Sequence, residues 1–140
     1  MTTGTTGTTG TDHARQLHLT ILAGEYAVSR LAPDTPALPA WALVGPWYSI
    51  TRTADEISIV CPAAAVPDDV TTERGWRMFV LTGPFPFGLT GILAAVLAPL
   101  ATAAIPIFAL STFDTDYVLV KAGDLERAAA TLRAAGHVVR

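Results

Sequence analysis

Apolar and polar positions follow two rhythms along this chain, and the clearer set lies in its second half. Trp76–Thr82 is rich in Val, Leu and Phe and is predicted as a strand, with a Gly/Pro turn over Gly83–Gly88. Over Leu89–Ala104 the period lengthens. Leu89, Ile92, Leu93, Val96, Leu97 and Leu100 recur at helical spacing while alanines fill the other side, so a mostly covered helix is predicted. Pro99 within it predicts a kink or a short second segment. Pro106–Thr112 and Asp116–Lys121 read as a hairpin that turns at Asp114 and Thr115. Asp124 suits an N-cap, Leu125, Ala128, Ala129 and Leu132 form an apolar stripe, and Gly136 suits the stop that follows. His137–Arg140 can supply a last short strand. The order is β-α-β-β-α-β, the ferredoxin-like split pattern.

The first half repeats this pattern in worn form. At an offset of sixty positions, Leu17–Ala23 faces Arg77–Gly83, Pro39–Gly45 faces Pro99–Ile105, and Tyr48–Val60 faces Phe108–Val120. Leu17–Leu22, Trp47–Arg52 and Glu56–Cys61 are predicted strands, and Ala27–Leu31 an additional one. Pro33, Pro36 and Pro39 leave room only for a short helix at Leu38–Val44, and the second helix shrinks to Pro62–Gly75. A unit of about sixty residues buries little apolar area, so two units are expected to share a core and cover each other's strand edges.

Composition supports a folded chain: of 140 residues, 51% are hydrophobic and 15% charged. The net charge of -3 and the scattered Lys and Arg argue against nucleic-acid binding. Residues 1–16 are expected to be a flexible Thr/Gly tail, without the apolar centre of a secretory signal. Cys61 is the single cysteine, which suits a cytoplasmic protein. The uncharged run between Arg77 and Asp114 is interrupted by Pro99 and Pro106, so no membrane span of roughly 20 residues is expected.

Known catalytic sets are missing. His13, His18 and His137 have no metal-ligand neighbours at useful spacing, and Cys61 follows a strand without a nearby His. No metal site or cofactor is expected, and no phosphate loop or dinucleotide fingerprint is present. Two segments carry possible chemistry. Gly83–Gly91 joins a strand to a helix start, where free N–H groups and the helix dipole suit an anion such as a carboxylate. Its plainer reading is a turn whose glycines serve backbone geometry. Ser111–Asp116 offers hydroxyls, the Phe113 ring and two carboxylates in one hairpin. Asp116, at a strand start, could meet an ammonium or guanidinium group, whereas Asp114 fits a turn that caps its own backbone. In the first half, Glu56 again places an acid at a strand start. Arg52 could pair with it at the surface.

The strings WYSITRTADEISIVC and GILAAVLAPLATAAIPIFALSTFDTDYVLVK resemble the ACT-domain family. The subgroup they resemble contains the CASTOR-type cytosolic arginine sensors and small bacterial two-ACT proteins. The resemblance spans Leu17 to Val139. It implies an α+β fold of two tandem ACT-like βαββαβ units packed as a pseudo-dimer, with unit 1 (17–75) degenerate and unit 2 at 76–140. It also implies amino-acid binding between units without catalysis. Ligand contacts would come from Thr112, Phe113 and Asp116 with Ser111 beside them, from Gly88 or Gly91, and from a facing strand segment that includes Glu56, Ser58 and Ile59. The favoured reading is an amino-acid-binding regulatory or sensor protein, with a homodimer or a protein partner left open. A structural or protein-interaction module with a vestigial pocket is the alternative. A small acid/base enzyme using Asp116 and Glu56 stands third.

Overall fold

The computed structural model describes residues 15–140, so most of the expected tail lies outside the described residues. The strands are β1 (His18–Leu31), β2 (Ser49–Arg52), β3 (Ile57–Pro62), β4 (Thr71–Leu81), β5 (Phe108–Ser111), β6 (Asp116–Lys121) and β7 (Val138–Val139). The helices are α1 (Ile92–Thr102) and α2 (Leu125–Ala134), with 3-10 turns at Ala40–Leu43, Ala63–Ala65 and Ala122–Asp124. All seven strands form one sheet in the order β2-β3-β1-β4-β6-β5, with β7 parallel to the start of β1. The fold is mixed α/β, and apart from β7 the sheet is antiparallel.

Two long strands carry the architecture. The strands predicted at Leu17–Leu22 and Ala27–Leu31 are one strand, β1, because Gly24 adopts a positive φ and lets the chain bulge without leaving the sheet. The first part of β1 does not stay with the first half of the chain. It lies between β7 and the end of β4, and Leu17 and Leu19 are buried under the two helices. Its second part pairs with β3 on one side and the start of β4 on the other. β4 likewise runs unbroken through Gly75–Trp76, and its residues 71–75 extend it where a shrunken helix was expected. Arg74 holds the short turn there by donating to the carbonyls of Ala63 and Val66, both at 2.8 Å.

The largest core lies between sheet and helices. Phe79, Leu81, Val118 and Val120 meet Ile92, Val96 and Leu100 of α1 and Ala128 and Leu132 of α2. Each fully buried side chain of this kind stabilises the fold by roughly 1.5–3 kcal/mol. A second cluster places Ile57, Ile59 and Cys61 of β3 against Ala42 and Val66. The opposite sheet face is aromatic, with Tyr26, Trp76, Met78 and Leu119 joined by Trp47, Phe108 and Tyr117. Trp47, just before β2, lies 5.2 Å from Tyr117 of β6. Four strand spacings separate β2 from β6, about 19 Å in a flat sheet, so the contact requires the sheet to curl and makes this face concave.

The two hairpins repeat with a different register from the expected one. Thr53 N–H donates to the Glu56 carbonyl at 2.9 Å, and Thr112 N–H donates to the Thr115 carbonyl at 2.8 Å. Thr53 therefore corresponds to Thr112, an offset of fifty-nine rather than sixty, and Ile57 rather than Glu56 corresponds to Asp116. Arg52 does not pair with Glu56; it donates to the carbonyls of Pro33 and Thr35, each at 3.0 Å.

The helices also refine the expectations. α1 begins at Ile92 and not at Leu89, because Gly91 sits at φ +78 and the Leu89 amide closes a turn on Pro86. Pro99 does not split it. Asp124 makes no capping bond and instead accepts from Arg127 at 3.1 Å. Gly136 ends α2 as expected, with φ +94 and the His137 amide reaching back to the Leu132 carbonyl. α1 ends in the same way, but its left-handed residue is Ala104 at φ 55. An L-residue is strained there by about 1–2 kcal/mol. Ala104→Gly should therefore stabilise the protein by about 0.5–1 kcal/mol net of the added chain entropy, visible as a melting point higher by a few degrees.

Candidate functional site

The loop after β4 and the β5–β6 hairpin fold against each other. Phe85 N–H donates to the Asp114 carbonyl at 2.8 Å, and the Thr115 hydroxyl donates to the Leu81 carbonyl at 2.6 Å. Between them lies an open cavity of about 200 Å³, walled by Phe85, Phe87, Leu89 and Ile92 on one side and Ser111–Asp116 on the other. That is below the roughly 300–1,000 Å³ of sites for drug-sized ligands, and suits a small metabolite. Phe87 and Phe113 meet edge-to-face at 4.9 Å on its rim. They are 77% and 79% exposed, so water-facing rings stand over the opening.

Asp116 is half-buried at the start of β6, opposite Ser111, whose hydroxyl donates to it. It is in no ion pair among the described residues. The cavity therefore holds a carboxylate with one oxygen bound and no counter-ion. Thr112 spends its hydroxyl inside the turn, donating to the Thr115 carbonyl at 3.2 Å. Asp114 is exposed and contributes its backbone carbonyl to the loop contact. On the facing wall, the amides of Phe85 and Leu89 are already bonded within the protein; Ile92 of that wall begins α1, where its amide and those of Leu93 and Ala94 behind it have no intrahelical partner.

Of the residues expected at the site, Ser111, Thr112, Phe113 and Asp116 line this cavity together. Gly88 and Gly91 lie in the same loop, but the wall is built by their neighbours, with Gly91 spent on the left-handed turn into α1. The facing strand does not reach it. Glu56 and Ser58 line a different depression, and Ile59 is fully buried in the second core. Phe85, Phe87 and Leu89 were overlooked as wall residues; the alternation of aromatics and prolines through Pro84–Phe87 was the available signal.

Burial pushes the Cys61 thiol up, with Arg74 opposing more weakly, so the thiolate is disfavoured. Burial likewise raises Tyr26. Among the described residues, no group of three or more His, Cys, Asp or Glu side chains could hold a metal, and no helix is long and apolar enough to cross a membrane.

Residues 71–134 match the profile of the ACT domain, and residues 24–69 match that of an N-terminal domain of a second family. A crystal structure of an Agrobacterium tumefaciens protein is 47% identical, with a TM-score of 0.84, over 90% of this chain and 93% of that one. The ligand-free regulatory subunit of Thermus thermophilus aspartate kinase is 10% identical, with a TM-score of 0.60 over 84% of this chain and 96% of that one. Clostridium acetobutylicum aspartate kinase is 12% identical, with a TM-score of 0.60 over 81% of this chain and 33% of that one. At such identities the two kinase structures speak for a shared fold alone.

Proposed function

We propose that the chain, whose residues 71–134 match the ACT-domain profile, is a non-catalytic regulatory protein of that family whose ligand is an amino acid. The observation that carries this reading is the cavity between loop and hairpin, with the unpaired Asp116 carboxylate at one wall and the start of α1 at the other. An α-ammonium group would take Asp116, an α-carboxylate the free amides of Ile92–Ala94, and the side chain would lie under Phe87 and Phe113. The finer kinship, with the CASTOR-type arginine sensors, is part of the same proposal. Thr112, Phe113 and Asp116 support it, because they keep that group's pattern and share one cavity. So is the organisation as two ACT-like units in a pseudo-dimer. The twice-made hairpin supports it, with the seam crossing the long strands β1 and β4. A cytoplasmic location and a homodimer or protein partner that reads the bound state complete the proposal.

The second reading, a protein-interaction module, is favoured by one observation: the exposure of Phe87 and Phe113, since large exposed apolar surface marks contact sites.

A thermal-shift screen against the twenty amino acids tests the first reading, because a ligand that binds only the folded state raises the melting point. For the amino acid that does so, Asp116→Asn should lower affinity about tenfold or more, the worth of one charge-assisted hydrogen bond. Asp114→Asn should change it little, since that side chain is exposed and the contact between loop and hairpin uses its backbone carbonyl. Equal losses in both variants, or none in Asp116→Asn, would remove Asp116 from the site. No response to any amino acid would favour the interaction module.

A further inference from the structure

The concave face of the sheet opens at its far end into a second depression, of about 260 Å³. Its register is set by three adjacent strands. Arg30 of β1 stands opposite Ser58 of β3 on one side and Thr71 of β4 on the other. One step along the same face, Val28 stands opposite Glu73. Glu56 closes the β3 end, and Phe108 of β5, brought round by the curl, forms a wall. Phe108 is itself held edge-on by Trp76 at 6.2 Å.

The chemistry of this opening is mixed in a specific way. Val28 and Phe108 give it half-buried apolar surface. Glu73 is engaged by Lys121 at 3.3 Å, but Arg30 and Glu56 are in no ion pair among the described residues. A guanidinium and a carboxylate thus face one opening without neutralising each other, with Ser58 and Thr71 flanking Arg30 on the two neighbouring strands. An anion alone would meet Glu56 and Glu73, and a cation alone would meet Arg30. A zwitterion satisfies both.

We infer that this depression is a second small-molecule site, separate from the hairpin cavity, for a zwitterionic α-amino acid with an apolar side chain. Its carboxylate lies on Arg30, where the guanidinium fork can bind both oxygens. Its ammonium lies on Glu56, and its side chain rests on Val28 and Phe108. Because strands from both halves of the chain build the opening, its occupant bridges them, and binding stiffens the curl of the sheet.

The full chain, labelled with nitrogen-15, is titrated with leucine, valine and phenylalanine, each to about 10 mM, weak enough to register millimolar affinity. Saturable amide shifts are expected at residues 28–30, 56–58 and 71–73 with at least one of the three. 4-Methylpentanoate and 3-methylbutylamine, which carry one charge of leucine each, should bind at least tenfold more weakly than the amino acid. Arg30→Met and Glu56→Gln should each weaken binding tenfold or more with an unchanged melting point, since both side chains reach water. Amides of 85–92 and 111–116 report the hairpin cavity independently, so failure there and failure here are read apart. The inference is overturned by silence at all three segments with every amino acid, by unaltered affinity in Arg30→Met, or by a single-charge fragment that binds as tightly as its amino acid.

Discussion

Replacing His137 by alanine should destabilise the protein by about 3 kcal/mol, lowering its melting point by roughly 10 °C. His137 is 6% exposed and bonded at both ring nitrogens. Nδ1 accepts from the Leu17 amide at 3.1 Å, and Nε2 lies 2.9 Å from the Ala95 carbonyl. Nδ1 must be unprotonated to accept, so Nε2 carries the hydrogen and donates it to Ala95. That carbonyl has a particular need for a donor. In an α-helix it would take the N–H four residues on, but that residue is Pro99, which has none. The imidazole supplies the hydrogen bond the proline removed, and α1 passes through Pro99 unbroken. Alanine at 137 leaves two buried backbone groups unpaired, each costing about 1–3 kcal/mol. A double-mutant cycle separates this from lost packing. Pro99→Ala returns an N–H to the Ala95 carbonyl, so His137→Ala should cost about 1 kcal/mol less in that background. Equal costs in both backgrounds would show that the histidine does not stand in for the helix bond.

That arrangement explains why Pro99 misled a reading of the sequence. The kink follows from the helix alone, and the remedy lies thirty-eight positions away in a segment read only as a last short strand. Local pattern was enough where local rules decide. The Asp116–Lys121 strand, the apolar stripe of α2 and its stop at Gly136 were all legible, because alternation, helical spacing and positive φ are written in a few neighbouring residues. The clustering of Ser111, Thr112, Phe113 and Asp116 was legible for the same reason, since one hairpin carries them. The facing segment was not. Counting the repeat at sixty aligned Glu56 with Asp116, whereas the turns align at fifty-nine, and in a strand a slip of one residue exchanges the two faces. Ile59 corresponds to Val118, and both point into helix-side or turn-covered cores. Ser58 and Val60 carry the concave face instead. The place of Leu17–Leu22 was hidden in another way. Nothing in LHLTIL says that it will slip between β7 and β4 and serve the second half of the chain.

Gly83→Ala should separate the two walls of the hairpin cavity, whereas Gly88→Ala should leave them in place. A Cβ on Gly83 would lie 2.7 Å from the Asp114 carbonyl oxygen, 3.2 Å from Thr115 Cβ and 3.3 Å from the Phe85 amide nitrogen. The first and last of these are the two partners of the hydrogen bond that docks loop on hairpin. Neither is a flexible side chain, and Thr115 is itself tied to the Leu81 carbonyl. The strain can be relieved only by opening that bond, at a cost of about 1–3 kcal/mol, the usual range for overpacking. Opening it moves Phe85 and the start of α1 away from Asp116, so affinity for an amino acid held between them should fall tenfold or more. At Gly88 an added Cβ meets nothing within 4 Å, so the melting point should stay within about a degree. The pair shares one loop and one chemical change, and differs only in whether the methyl group meets the hairpin. Melting curves and the amide shifts of Phe85 and Thr115 read the outcome. A Gly83→Ala protein as stable as the parent, with those shifts unmoved, would mean that the loop does not depend on this contact to shape the cavity.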